Sequence, residues 1–171
     1  MFHSFINSHL LYCLPIWSCG LESSLDPLII LQKKAIRIIT NSRYSSHTAP
    51  LFKKLQILPL KELTIYTKLT LMYDFIRWKL PYSFDGVWIR NFVRNPRALR
   101  NSNQFYIPTA KFKCIERFPL FHFQRLWNNI CHENNLLCSK LPKKIFCENL
   151  KKELFKSVVI NCSKPRCIEC I

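Results

Sequence analysis

Residues 24–41, SLDPLIILQKKAIRIITN, read as an amphipathic helix, and that reading sets the class of the fold. Ser24 is placed to cap it, and Asp26 and Pro27 suit a first turn. Leu28, Leu31, Ala35 and Ile38 recur at helical spacing and predict one apolar face, widened by Ile39. Lys33, Lys34 and Arg37 then fall largely on the opposite, solvent side.

Working outward, residues 2–17 predict a helix with Phe2, Phe5, Ile6, Leu10 and Cys13 on one broad face. After the loop NSRYSSHTAP, Thr48 or Ser46 caps a short helix running through LFKKLQI. Pro59 opens a long helix to about Lys79, with Leu63, Tyr66, Leu69, Met72, Tyr73 and Ile76 as its stripe; Pro81 ends it. Residues 80–118 are less regular, punctuated by Pro96 and Pro108, with FYIP as a short extended segment. Pro119 starts a helix that turns Leu120, Phe123 and Trp127 inward. Residues 142–159 form the last helix, facing the core with Ile145, Phe146, Leu150, Leu154 and Val158.

Composition agrees with that outline. The 171 residues suit one domain plus a short tail, and 49% hydrophobic content is enough for a real core. Only two glycines occur, Gly20 and Gly86, so positive-φ turns and tight β-hairpins should be scarce. The expected fold is mainly α: an irregular bundle of about five to six helices with Pro-containing loops, room for one short β-hairpin, and a Cys-rich tail. Its expected divisions are residues 1–80, 81–160 and the tail 161–171.

Charge narrows the partners. Twenty-six Lys and Arg face ten Asp and Glu, a net charge of +16, which favours a polyanion. Residues 1–31 carry no Lys or Arg. Residues 32–54 carry Lys33, Lys34, Arg37, Arg43, Lys53 and Lys54 with no acid. A second basic zone holds Arg90, Arg94, Arg97, Arg100, Lys111, Lys113 and Arg117 against Glu116. A third holds Lys140, Lys143, Lys144, Lys151, Lys152 and Lys156 against Glu148 and Glu153. Arginines near Trp88, Phe92, Phe105 and Tyr106 combine phosphate-neutralising charge with rings able to stack on unpaired bases. The plainer reading of those rings is a core, with the arginines on its solvated side.

The N-terminus lacks the basic region of a signal peptide and is too short and polar to span a bilayer. An odd number of cysteines, six of them scattered through apolar or helical stretches, fits reduced thiols better than a disulfide framework. A nuclear or cytoplasmic protein is therefore expected, not a secreted or membrane one. The first helix opens abruptly in core-like sequence, as in a fragment of something larger.

Catalytic chemistry has little to stand on. Nucleotidyl transfer needs clustered carboxylates to hold two Mg²⁺ ions, and Asp26, Asp74 and Asp85 each stand alone. There is no Gly-rich phosphate loop and no Ser nucleophile elbow. His3, His9, His47, His122 and His132 are spread out and read as structural or surface residues. The sharpest chemical motif is Cys162-x4-Cys167-x2-Cys170, whose thiols can bind Zn²⁺ with Cys147, His132 or Cys138 as fourth ligand. The rival reading is free cysteines at a chain end.

Six stretches occur in an order that resembles one family. They are FINSHLLYCLPIW, ILQKKAIRIITNSRYSSHTAPLFKKLQILPL, MYDFIRWKLP, LRNSNQFYIP, FPLFHFQRLWN and the terminal CSKPRCIEC. Together they resemble the region after the palm, the thumb and the segment downstream of it, in jockey-like LINE (non-LTR) retrotransposon reverse transcriptases. The most specific parts are QKKAIRIIT, the tripeptide Leu99-Arg100-Asn101 and the tripeptide Leu126-Trp127-Asn128.

The resemblance implies RNA-directed DNA polymerase ancestry, with endonuclease and palm upstream in an intact element. It makes residues 1–80 thumb-like, a helical grip on the template–primer duplex. It places Lys33, Lys34, Arg37 and Arg43, and by charge Arg97 and Arg100, on RNA or an RNA–DNA duplex. A zinc knuckle in the tail would serve the same grip. Palm and fingers motifs are absent, so the expectation is a non-catalytic fragment whose partners are the nucleic acid and the missing palm and fingers. The rivals are a protein-interaction module docking through its apolar first helix, or a pseudogene product without function.

Overall fold

The long helix α5 (Leu60–Ile76) is the strut on which several of the other helices pack. Pro59 occupies its N-cap position, pre-set for a helix entry, and Glu62 in the first turn suits the positive helix end. Leu60, Leu63, Leu69, Met72 and Tyr73 are buried, together with Thr64 and Lys68. Helices lie against it from several sides, so it buries more than one stripe.

A computed structural model describes residues 2–77, 79–95, 97, 102–112, 114–133 and 141–160. The chain is mainly helical: of the described residues 67% are in helices, with eight α-helices and no strand among them. Around α5 stand α1 (Ser8–Leu11), α2 (Leu14–Trp17), α3 (Asp26–Ile39), α4 (Thr48–Leu55), α6 (Asn91–Arg94), α7 (Pro119–Glu133) and α8 (Lys143–Ile160).

The count exceeds the expected six for two reasons. The first expected helix is broken, and α6 adds a single turn. A π-helical turn, His3–Asn7, leads into α1. The chain then leaves the helix at Tyr12 and Cys13, the latter at φ 51°. Pro15 cannot supply the next i→i−4 bond, so the helix restarts with Pro15 in the first turn of α2. Trp17 closes the break, its indole Nε1–H donating to the Tyr12 carbonyl at 2.8 Å. Phe2 is buried as expected, but Phe5 and Cys13 face out.

Three apolar clusters hold the elements together. The largest joins Leu69, Met72 and Tyr73 of α5 to Trp88, Phe105, Phe123, Trp127, Phe146 and Leu150, so it spans both sides of residue 80. The second packs Phe2 with Ile36, Phe52 and Ile57. The third packs Leu14 with Leu58, Leu60 and Leu63. Leu120 and Ile145, both expected inside, are largely exposed; Phe121 takes the inward position on α7. Lys68 is buried in α5, where its Nζ donates to the Ser18 carbonyl at 3.2 Å and ties α2 to the strut. Burial pushes its ammonium below its ordinary range, with the Cys19 thiol opposing.

The irregular stretch contains the one extended pairing among the described residues. Arg90 and Phe105 form an isolated antiparallel bridge, with Asn91 N–H donating to the Gln104 carbonyl at 2.9 Å and Tyr106 N–H to the Ile89 carbonyl at 2.8 Å. FYIP is thus extended, in a bridge rather than a ladder. Asn128 of α7 fastens it. Its Nδ2 donates to the Phe105 carbonyl at 2.8 Å, and its Oδ1 accepts from the Phe105 N–H at 2.9 Å.

Helix ends solve the shortage of glycine in a specific way. At the end of α3, Asn41 takes φ 50°, Ser42 N–H donates to the Arg37 carbonyl at 2.9 Å, and Asn41 N–H to the Ile38 carbonyl at 3.1 Å. The end of α4 repeats this with Gln56 at φ 55° and Ile57 N–H on the Phe52 carbonyl at 3.1 Å. Both are Schellman motifs with a non-glycine residue at the left-handed position. A Gln there carries a steric cost that Asn and Gly carry less. Gln56→Gly is therefore expected to stabilise the fold by about 0.5–1 kcal/mol, raising Tm by about 1–4 °C in a melt followed by circular dichroism. A lower Tm would contradict this account of the turn.

Candidate nucleic-acid interface

Helix α3 sits in a different phase from the one its sequence predicts. The residues it buries are Gln32, Ile36 and Arg37, while Leu31, Ile38 and Ile39 are exposed and Leu28 is only partly covered. The phase is fixed by polar bonds as well as by Ile36. Gln32 Nε2 donates to the Leu58 carbonyl at 3.2 Å, and its Oε1 accepts from the Leu60 N–H at 2.8 Å. The carboxamide thus satisfies the chain where it enters α5. Ser24 does not cap α3; Leu25 holds the N-cap position without a side-chain bond.

This phase corrects the expected role of Arg37. At 3% exposure it does not stand on the solvent side. Its Nε donates to the Ser46 carbonyl at 3.0 Å, and its guanidinium carbon lies 5.7 Å from the centroid of the Tyr44 ring. Arg37 therefore anchors the loop after α3 and adds its charge from beneath the surface. Lys34 is exposed, Lys33 is half-buried, and Arg43 is exposed in the loop.

Lys34 and Arg37, with Ile38, Asn41, Ser42 and Tyr44, line an open groove of about 470 Å³. Thr40 and Ser42 hydroxyls lie 2.9 Å apart, and Thr40 Oγ1 also donates to the Ile36 carbonyl at 2.8 Å, so the rim is tied to the helix end. Last-turn carbonyls are engaged by Thr40, Asn41 and Ser42, which blunts the negative helix end beside an otherwise cationic site. Tyr44 was not among the sequence candidates. The available signal was a ring directly after Arg43, in a stretch without acid from Pro27 to Lys61.

In the second basic zone two of the four rings are internal, while Phe92 is 49% exposed and Arg94, Arg97, Lys111 and Arg117 are exposed. Trp88 and Phe105 are buried, Trp88 meeting Phe75 edge-on at 4.9 Å and Phe123 at 5.8 Å. Arg90 lies 5.6 Å from the Phe105 centroid, and Arg94 lies 3.7 Å from that of Tyr106. These guanidinium groups cover rings of their own chain. Arg97 is exposed, and Arg100 lies outside the described residues. On α8, Lys143 pairs with Asp74 at 2.6 Å and Lys156 with Glu153 at 2.6 Å.

Cys162, Cys167 and Cys170, and with them Cys138, lie outside the described residues. Cys147 is half-buried on α8 beside Tyr66, whose hydroxyl is pushed up to about 12, first by burial and then by the hydrogen bond to Cys147. Among the described residues, no group of three or more His, Cys, Asp or Glu side chains could hold a metal ion. Among them also, no helix is long and apolar enough to cross a membrane.

Comparison of the chain with protein-family models, curated proteins and solved structures returns no match.

Proposed function

We propose that the chain is a non-catalytic, nucleic-acid-binding segment related to the thumb region of a LINE-type reverse transcriptase, working in the nucleus or cytoplasm. It holds RNA or an RNA–DNA duplex by charge, without reading sequence. The observation that carries this reading is the exposed pair Lys34, which lines the groove at the end of α3, and Arg43 in the loop that follows, in a stretch free of acid. The resemblance of the chain's segments to that family supports the ancestry. The zinc knuckle expected at Cys162, Cys167 and Cys170 rests on their spacing.

Each phosphate neutralised releases counterion, so the logarithm of affinity should fall linearly with the logarithm of salt. For Lys34→Glu combined with Arg43→Glu, the expected result is weaker binding of an RNA–DNA duplex and a salt slope smaller by about 2. Fluorescence anisotropy across a salt series measures both. Affinity insensitive to salt, or no binding at low salt, would sink the proposal.

One observation favours a second reading. Phe5, Tyr12 and Ile16 are exposed apolar residues in a region without Lys or Arg, as a surface docking another protein would be. In the main reading that surface meets the palm and fingers of the parent polymerase. In the alternative, protein docking is the whole function, and the glutamate variants leave it intact.

A further inference from the structure

We propose that the groove at the end of α3 is a subsite for one unpaired nucleotide, its base stacked on Tyr44 and its phosphate held by Lys34. This rests on the nucleic-acid reading above and narrows it from polyanion to single strand at this position.

Four features of the groove point there. Tyr44 is 66% exposed, and the guanidinium of Arg37, itself buried and bonded to the Ser46 carbonyl, lies over its ring 5.7 Å from the centroid. A ring held in this way is a platform with little freedom left to lose on binding. Ile38, 78% exposed, gives the same groove an aliphatic wall. Asn41 brings a carboxamide, both donor and acceptor, to the rim and is set there by its left-handed backbone. Lys34 supplies an exposed cation on the helix side, and no acid lines the groove.

That combination matches a nucleotide better than its neighbours in chemistry. A purely apolar partner would leave Lys34 and Asn41 without partners. A continuous duplex would leave Tyr44 idle, because its base faces are already stacked and paired. Only an unpaired base offers a π-face to an aromatic platform while its backbone carries charge to a lysine. A volume of about 470 Å³ falls within the ordinary range for small-ligand sites, about 300–1,000 Å³.

The test compares a single-stranded RNA 10-mer with a blunt RNA–DNA duplex of the same sequence, binding to the full chain and to Tyr44→Ala and Tyr44→Phe. Tyr44→Ala should weaken single-strand binding roughly tenfold and leave duplex binding unchanged; Tyr44→Phe should stay within about twofold of the parent. A 5-iodouridine-substituted 10-mer, irradiated on the parent chain, should crosslink at Tyr44 by mass spectrometry, which needs no variant to fold. Equal weakening of both ligands, or crosslinks confined to other residues, would overturn the subsite while leaving charge-driven binding in place. No binding of either ligand at low salt would overturn the nucleic-acid reading itself, and the subsite with it.

Discussion

Phe146→Ala is expected to destabilise the chain by about 3–5 kcal/mol, a large share of the roughly 5–15 kcal/mol that holds a typical domain together. Phe146 is fully buried on α8. Its ring stacks on Tyr73 of α5 at 4.5 Å and faces Trp127 of α7 at 6.1 Å. Truncation would remove a joint between three helices at once, and the surrounding rings are too bulky to collapse into the space. The same corner is fastened by polar bonds: the Tyr73 hydroxyl and Arg77 both donate to the Leu141 carbonyl, and Lys143 pairs with Asp74. Those exposed or part-exposed bonds contribute much less than the lost ring. Urea unfolding followed by tryptophan fluorescence would measure the loss as a lower midpoint at an unchanged slope. The neighbouring Ile145→Ala is the control, since Ile145 is 44% exposed and should cost under about 1 kcal/mol. A Phe146→Ala cost as small as the control's would mean that α8 does not pack against α5 as described.

How well the sequence foretold each helix depends on what fixes that helix in place. In α5 the expected stripe is largely the buried one, because bulky apolar residues decide most of its contacts. In α3 apolar spacing pointed to Leu31 and Ile38, and both are exposed. The decisive residues there are Gln32 and Arg37, whose burial depends on backbone partners 26 and 9 residues away in sequence. No periodicity argument weighs a buried carboxamide correctly, since polar residues are scored as solvent-facing. The glycine count was a sound guide: among the described residues, Gly86 and three non-glycine residues, Cys13, Asn41 and Gln56, take positive φ, and a single bridge stands where a hairpin would. At the candidate interface, Lys34 and Arg43 are exposed, as expected of solvated cations. Arg37 was misplaced by the helix phase. Tyr44 became visible only when the loop was seen to fold back over the end of α3.

Asn128→Asp should produce a second large loss, about 2–4 kcal/mol at neutral pH, and one that acid reverses. Asn128 is buried, and its carboxamide meets both main-chain groups of Phe105, taking the place of a neighbouring strand. In the aspartate, one oxygen still accepts from the Phe105 N–H. The other now faces the Phe105 carbonyl oxygen, acceptor against acceptor, with a charge removed from water. Protonation repairs this, because the carboxylic O–H can donate where Nδ2–H did. Folding therefore favours the protonated acid and raises its pKa above the unfolded value of about 4. The restored stability is present below that pH and is lost as pH rises through the folded-state pKa. The quantity to measure is the difference in unfolding free energy between variant and parent, which cancels the acid sensitivity they share. It should shrink markedly between pH 7 and pH 4, whereas Asn128→Leu should show a gap that does not change. A constant gap for the aspartate would remove Asn128 as the clamp. Asn128 also closes the Leu126-Trp127-Asn128 tripeptide, one of the stretches that carry the family resemblance, and Gln32 opens another. In both, the polar residue bonds to the chain's own backbone. Those stretches therefore bear on how the Arg90–Phe105 bridge and the entry to α5 are held.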